Sequence, residues 1–125
     1  MHLKTIINSL NLHNWTPDLD QDISVTRGYI SDMMSDVLAN THQGDLWITQ
    51  QNHQGVVILA SLKKIPVILL ANSKQPLPDM IKAAKEEGIV ILTSSLSAFE
   101  VAGRLYQLGL SGGKPVETVP LSSVK

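Results

Sequence analysis

Short apolar runs at Ile23 to Ile30, Leu46 to Thr49, Val67 to Leu70 and Ile89 to Leu92 are separated by stretches of helix length, and this alternation limits the chain to few folds. Runs that are apolar on both faces and joined by helices of about ten residues pair in parallel through right-handed crossovers. The fold expected is α/β: a single domain, with a mostly parallel sheet of four or five strands flanked by helices. At 125 residues the chain is long enough to bury roughly two-thirds of the surface its unfolded form exposes, so one core is expected.

The helical segments carry their own signals. Leu3, Ile6, Ile7 and Leu10 repeat at the spacing of one buried helix face, and Asn11 ends that helix. A short β-like piece, Leu12 to Trp15, leads into Thr16 to Asp22, where Pro17 and three aspartates read as a solvated loop. Further helices are expected over Met33 to Asn40, His53 to Lys63, Pro78 to Glu87 and Ala98 to Leu108. Pro78 with Asp79 suits a first turn, and Gly88 suits the left-handed position after a last turn. Ser97-Ala98-Phe99-Glu100 has the form of a capping box, in which each end residue satisfies the other's amide. The domain is expected to span 1–110, with 111–125, rich in Gly, Pro and Ser, as a flexible C-terminal tail.

Charge and composition set the partner classes. Ten basic and eleven acidic side chains leave a net charge of −1, and the lysines are scattered, so nucleic acid is not an expected partner. No cysteine is present, which removes thiolate chemistry and suits a reducing interior. The start lacks the pattern of a signal peptide, and the longest apolar run, Val67 to Ala71, is far short of the ~20 residues that cross a bilayer. No membrane association is expected, and the location expected is cytoplasmic.

Catalytic patterns are weak. Ser111-Gly112-Gly113-Lys114 lacks the spacing of a phosphate-cradling loop and follows a helix in place of a strand. The four histidines, His2, His13, His42 and His53, stand in no metal-ligating pattern, so no metal and no cofactor are expected, and no catalytic residue is assigned. Asp32 and Asp36 would share one face of a helix beginning at Ser31, as a cation or acid–base pair. The plainer reading is that Asp32 or Ser35 caps that helix and Asp36 favours its positive end.

The residues with most to say are positional. Ligands of open parallel sheets sit beyond the carboxyl ends of the strands. Those ends are polar here, and the ligand-binding set expected is Ser31, Asp32, Thr49, Asn72, Thr93, Ser94 and Ser97, next to helix amides that hold negative charge. The last helix carries a second apolar stripe, Phe99, Gly103 and Tyr106, beside its inward one. Gly103 costs roughly 1 kcal/mol against alanine in a helix, so it marks a close approach of another backbone. Either a second copy of the chain or a wide buried face within the monomer explains the stripe.

The segment Asp22 to Thr49, with Arg27-Gly28-Tyr29-Ile30-Ser31-Asp32 and Gly44-Asp45-Leu46-Trp47-Ile48-Thr49, and the segment Thr93 to Leu110 together resemble the DRTGG domain family. The contiguous letters of that name are absent; Asp22, Thr26, Arg27 and Gly28 echo them. The resemblance covers about residues 3–110 and implies a fold related to the N-terminal domains of HPr kinase/phosphorylase and of Mur ligases, which are not the catalytic domains of those enzymes. In relatives the domain sits beside CBS domains, in some pyrophosphatases within an adenine-nucleotide-responsive regulatory region. The resemblance thus implies a non-catalytic regulatory or ligand-sensing domain, and it favours the homodimer. An adenine-nucleotide-binding sensor and a scaffold subunit for a protein partner are the alternatives.

Overall fold

The computed structural model describes residues 1–113. The elements in chain order are α1 (Leu3–Leu10), β1 (His13–Asn14), β2 (Arg27–Ile30), α2 (Met34–Asn40), β3 (Asp45–Thr49), α3 (Gln54–Lys63), β4 (Val67–Leu70), α4 (Pro78–Glu87), β5 (Val90–Thr93) and α5 (Ala98–Leu108). They form a five-stranded sheet in the order β1-β5-β4-β3-β2. Strands β2 to β5 are parallel, and β1 adds an antiparallel edge, with His13 opposite Thr93 and Asn14 opposite Leu92. The expected α/β domain with a mostly parallel sheet is the observed one.

Each face of the sheet has its own core. Leu46, Ile48, Val67, Leu69, Val90 and Leu92 point toward α1 and α5, where Leu3, Ile6, Leu10, Val101 and Leu105 cover them. Trp47, Ile68, Leu70 and Ile91 point the other way, toward Val37 of α2, Val56, Val57 and Ala60 of α3, and Met80 and Ala84 of α4. Every residue of β3 and β4 is buried, which is why Leu46 to Ile48 and the whole of β4 read as unbroken apolar runs. A fully buried side chain such as Ile68 or Leu69 contributes about 1.5–3 kcal/mol by leaving water.

The helix termini follow from local chemistry. Asn11 (φ 52°) and Gly88 (φ 71°) end α1 and α4 in the left-handed region. Ser97 Oγ accepts from the Glu100 amide at 3.2 Å, one half of the expected capping box. The other half is not made; the Glu100 carboxylate lies 4.0 Å from Arg104 Nε on the next turn.

The strand expected from Ile23 is shorter at its start and begins at Arg27. The reason is competition: Ile23 O accepts from the Leu3 amide at 2.8 Å, Val25 N donates to Met1 O at 2.9 Å, and Val25 packs into the α1 core. Residues 23–25 therefore tie the chain start to the sheet. At the other end Leu110 is buried and Ser111 O accepts from Gly28 N at 3.0 Å, so the docked chain reaches past 110. Residues 114–125, most of the expected tail, lie outside the described residues.

Candidate functional site

Helices α2, α3 and α4 cover one face of the sheet, whereas α5, which follows β5, covers the other. The chain after β4 consequently runs on to one face and the chain after β5 to the other, beyond a short stretch in which the two loops lie side by side. Between diverging loops a crevice opens at the carboxyl ends of the strands. A cleft of about 600 Å³ lies there, bounded by the end of α1 (Leu10, Asn11), by His13 and Trp15 of the β1 edge, by Ser73, Lys74 and Gln75 after β4, by Thr93 to Leu96 after β5, and by Arg104 of α5.

The loop after β4 is a tight turn with two consecutive left-handed residues, Asn72 (φ 60°) and Ser73 (φ 59°), closed by the Lys74 amide on Ala71 O at 3.2 Å. Left-handed backbone at a residue with a Cβ costs about 1–2 kcal/mol. The cost is offset by two bonds to the neighbouring loop: Asn72 N to Leu96 O at 2.7 Å and Ser73 N to Ser94 O at 2.9 Å. This stitching fixes the turn that brings Lys74 to the cleft wall. On the β1 side, Trp15 is held at two points, its amide on Ile91 O at 2.9 Å and its indole Nε1 on Thr93 Oγ1 at 2.9 Å. His13 meets the indole edge-on, with ring centroids 4.9 Å apart.

The electrostatics of the cleft are one-sided. Lys74 and Arg104 line it together with the His13 imidazole and four hydroxyls, and no carboxylate does. Among the described residues, Lys74 forms no ion pair and Arg104 has only the 4.0 Å contact with Glu100. Such a surface offers donors and positive charge to an anion.

The expected ligand set falls into two groups. Thr93 and Ser94 line the cleft, and Asn72 belongs to the turn that builds its wall. Ser31, Asp32 and Thr49 lie together at the ends of β2 and β3: Thr49 Oγ1 donates to Asp32 Oδ1 at 2.7 Å, Gln50 N donates to the same oxygen at 2.8 Å, and Trp47 Nε1 donates to Ser31 O at 2.8 Å. These contacts staple the two loops. Ser97 caps α5 and is not part of the cleft wall.

Asp32 and Asp36 do not share a helix face, because α2 starts at Met34 and its N-cap, Met33, has no side-chain cap. Neither Asp32 nor Ser35 caps it; Ser31 Oγ accepts from the Met33 amide at 3.1 Å, and Asp32 turns to Thr49. Asp36 does stand in the first turn, where it accepts from Tyr29 Oη at 2.8 and 2.9 Å. Of the histidines, His53 caps α3 by accepting from the Gly55 amide at 3.2 Å. No group of three or more His, Asp or Glu side chains among the described residues is placed to hold a metal.

Leu10, Asn11, His13, Trp15, Gln75 and Arg104 are wall residues that strand-end reasoning missed; Ser73, Lys74 and Ser95 stood beside the chosen residues in sequence. On α5, Phe99 and Tyr106 are 85% and 69% exposed, and a Cβ built on Gly103 meets nothing within 4 Å. Among the described residues nothing covers the second stripe, so no wide buried face forms there within residues 1–113.

A two-sided sheet with a cleft at a topological switch point defines a small α/β domain of the type that hosts sites at its strand ends. The DRTGG domain family matches residues 7–108, so the chain belongs to that family. A solved structure of the CBS and DRTGG domains from the regulatory region of Clostridium perfringens pyrophosphatase, complexed with its activator diadenosine tetraphosphate, superposes with a TM-score of 0.66 at 14% identity. The match covers 84% of this chain and 46% of that one, so the chain spans about half of its solved neighbour. Comparison with curated proteins gives no match.

Proposed function

We propose that this DRTGG domain is a regulatory, ligand-sensing module with no reaction of its own, and that it senses a small anionic metabolite in the cleft above β4 and β5. The observation that carries this reading is the charge segregation of the cleft. In a chain with eleven acidic residues, its wall holds Lys74 and Arg104 and no carboxylate. Family membership and the regulatory setting of the pyrophosphatase neighbour support regulation over catalysis. The cysteine-free composition supports a cytoplasmic location for the module.

A thermal-shift screen of anionic metabolites, phosphate esters and carboxylates tests it. A ligand at 100 times its dissociation constant stabilises the protein by about 2.7 kcal/mol. Lys74→Ala and Arg104→Ala should each weaken the best ligand about tenfold, the value of one charge-assisted contact. A panel that gives no stabilisation at millimolar concentration favours the scaffold reading, in which the partner is a protein.

A second reading, an adenine-nucleotide-binding sensor, is supported by the neighbour's activator, diadenosine tetraphosphate. Self-association completes the proposal. Phe99, Gly103 and Tyr106 stand four and three residues apart along one exposed line of α5, with Glu100 and Arg104 beside them. A copy of the helix packed antiparallel across this stripe brings Phe99 and Tyr106 of the two copies into one apolar contact, the self-complementary arrangement that a two-fold interface requires.

A further inference from the structure

We propose, resting on the anion-sensing reading above, that the ligand class of the cleft is a polyhydroxylated anion, a sugar phosphate or a sugar acid. Its acid group meets Lys74 and Arg104, and its hydroxyls meet the neutral polar part of the wall.

A cleft of about 600 Å³ lies within the range of pockets that enclose whole small molecules, well beyond what a bare inorganic anion fills. The two cations account for one end of such an occupant. The chemistry of the remaining wall selects the rest of it.

Much of that wall consists of groups that both donate and accept. Ser73, Thr93, Ser94 and Ser95 bring hydroxyls, and Asn11 and Gln75 bring carboxamides. A hydroxyl offers one donor and two acceptor lone pairs, and a carboxamide offers two donors and an acceptor oxygen. A ligand that covers these groups without bonding them leaves desolvated donors and acceptors unpaired, at about 1–3 kcal/mol for each buried one. Alcohol groups spaced along a carbon skeleton carry the same mixture of donors and acceptors, so they pair with this wall in either sense.

Two of the hydroxyls are already committed on their acceptor side. Thr93 Oγ1 accepts from the Trp15 indole at 2.9 Å, and Ser94 Oγ accepts from the Leu96 amide at 3.1 Å. Each keeps its own proton to donate, and among the described residues neither proton has a protein acceptor. Ser94 is only 7% exposed, so an oxygen of a ligand in the cleft is a partner that bulk water supplies poorly. The wall also includes Leu10, Trp15 and Leu96. A sugar skeleton carries C–H edges beside its hydroxyls, and this suits a wall in which apolar and hydroxyl groups alternate; a bare anion or a hydrocarbon chain matches only one of the two.

The test is calorimetric titration of the full chain with two matched pairs of probes and AMP. Ribose 5-phosphate is compared with butyl phosphate, and gluconate with hexanoate, so that each pair shares an acid group and differs in its hydroxyls. The hydroxylated member that binds should do so at least tenfold more tightly than its partner, and the tighter of ribose 5-phosphate and gluconate identifies the acid group. Lys74→Ala should weaken both members of the binding pair about tenfold, whereas Ser94→Ala and Ser95→Ala should each weaken only the hydroxylated member, by about fivefold to tenfold. If Ser94→Ala fails to fold, Ser95→Ala and the wild-type pairs still decide. Equal affinity within both pairs overturns recognition of the hydroxyls and leaves the anion-sensing reading standing. Binding of AMP tenfold more tightly than ribose 5-phosphate overturns it in favour of the nucleotide sensor, and silence of every anion sinks both the class and the anion-sensing reading.

Discussion

Arg27 grips Asp45 with two prongs, Nε to Oδ1 at 3.0 Å and Nη2 to Oδ2 at 2.7 Å, across the first rung of β2 and β3. Asp45 is 1% exposed and also accepts from the His42 amide at 2.7 Å. Removing one member of a buried ion pair leaves the other uncompensated. Asp45→Asn should therefore cost about 2–3 kcal/mol, below the full penalty because the Arg27 side chain keeps 13% exposure. Urea denaturation measures it. A loss under about 1 kcal/mol would show that the pair is a surface contact in energetic terms.

The Asp36 carboxyl is held below the ordinary carboxylate range by the Ser31 hydroxyl and then by the Tyr29 phenol, whose 2.8 and 2.9 Å contacts are the geometrically secure ones. A depressed acid contributes stability above its unfolded pKa of about 3.9 and loses it as pH falls through the lower folded value. The same contact raises the Tyr29 phenol, whose share is present below its unfolded pKa and lost as pH rises through the folded one. Thermal melts of wild type and Asp36→Asn should differ at neutral pH and converge in acid. A constant gap across that range contradicts this assignment.

At Ser73 the left-handed backbone decides tolerance. Ser73→Val should destabilise by about 1–2 kcal/mol, because a β-branched side chain is worst in that region, while Ser73→Gly should be neutral or stabilising. Guanidinium melts of the two variants make the comparison. Equal behaviour would mean that the turn relaxes out of its left-handed form.

Sedimentation equilibrium at tens of micromolar should give twice the monomer mass of 13.6 kDa. Tyr106→Glu should shift the species toward monomer with little loss of fold, since Tyr106 is 69% exposed. A monomeric wild type removes the α5 pairing.

The helices were legible because their signals are local. Leu3–Leu10, Pro78–Glu87 and Ala98–Leu108 follow from apolar spacing, Pro78, Gly88 and Ser97 alone. The first half of the run at Ile23 looks like strand by composition, but its partners, Met1 and Leu3, are chosen by tertiary contact. Asp45 after Gly44 reads as a turn, and only its pairing with Arg27, 18 residues away, turns it into a buried strand residue. Thr16 is likewise buried, its Oγ1 accepting from Ile91 N at 3.2 Å, within a segment that looks solvated. The cleft was half legible. Thr93 and Ser94 follow from the strand-end rule, whereas Trp15 arrives by an antiparallel edge pairing whose partner is 78 residues distant.

The most direct trial of the central claim is an amide NMR titration of the full chain with ribose 5-phosphate, a small anionic metabolite. The cleft reading predicts saturable shifts at Ser73 to Gln75, at Thr93 to Leu96 and around Arg104, lost in the double variant Lys74→Ala, Arg104→Ala. Shifts confined to Ser31, Asp32 and Thr49 or to the opposite edge near Gly44 and Ile65, or no shifts at millimolar concentration, would contradict it.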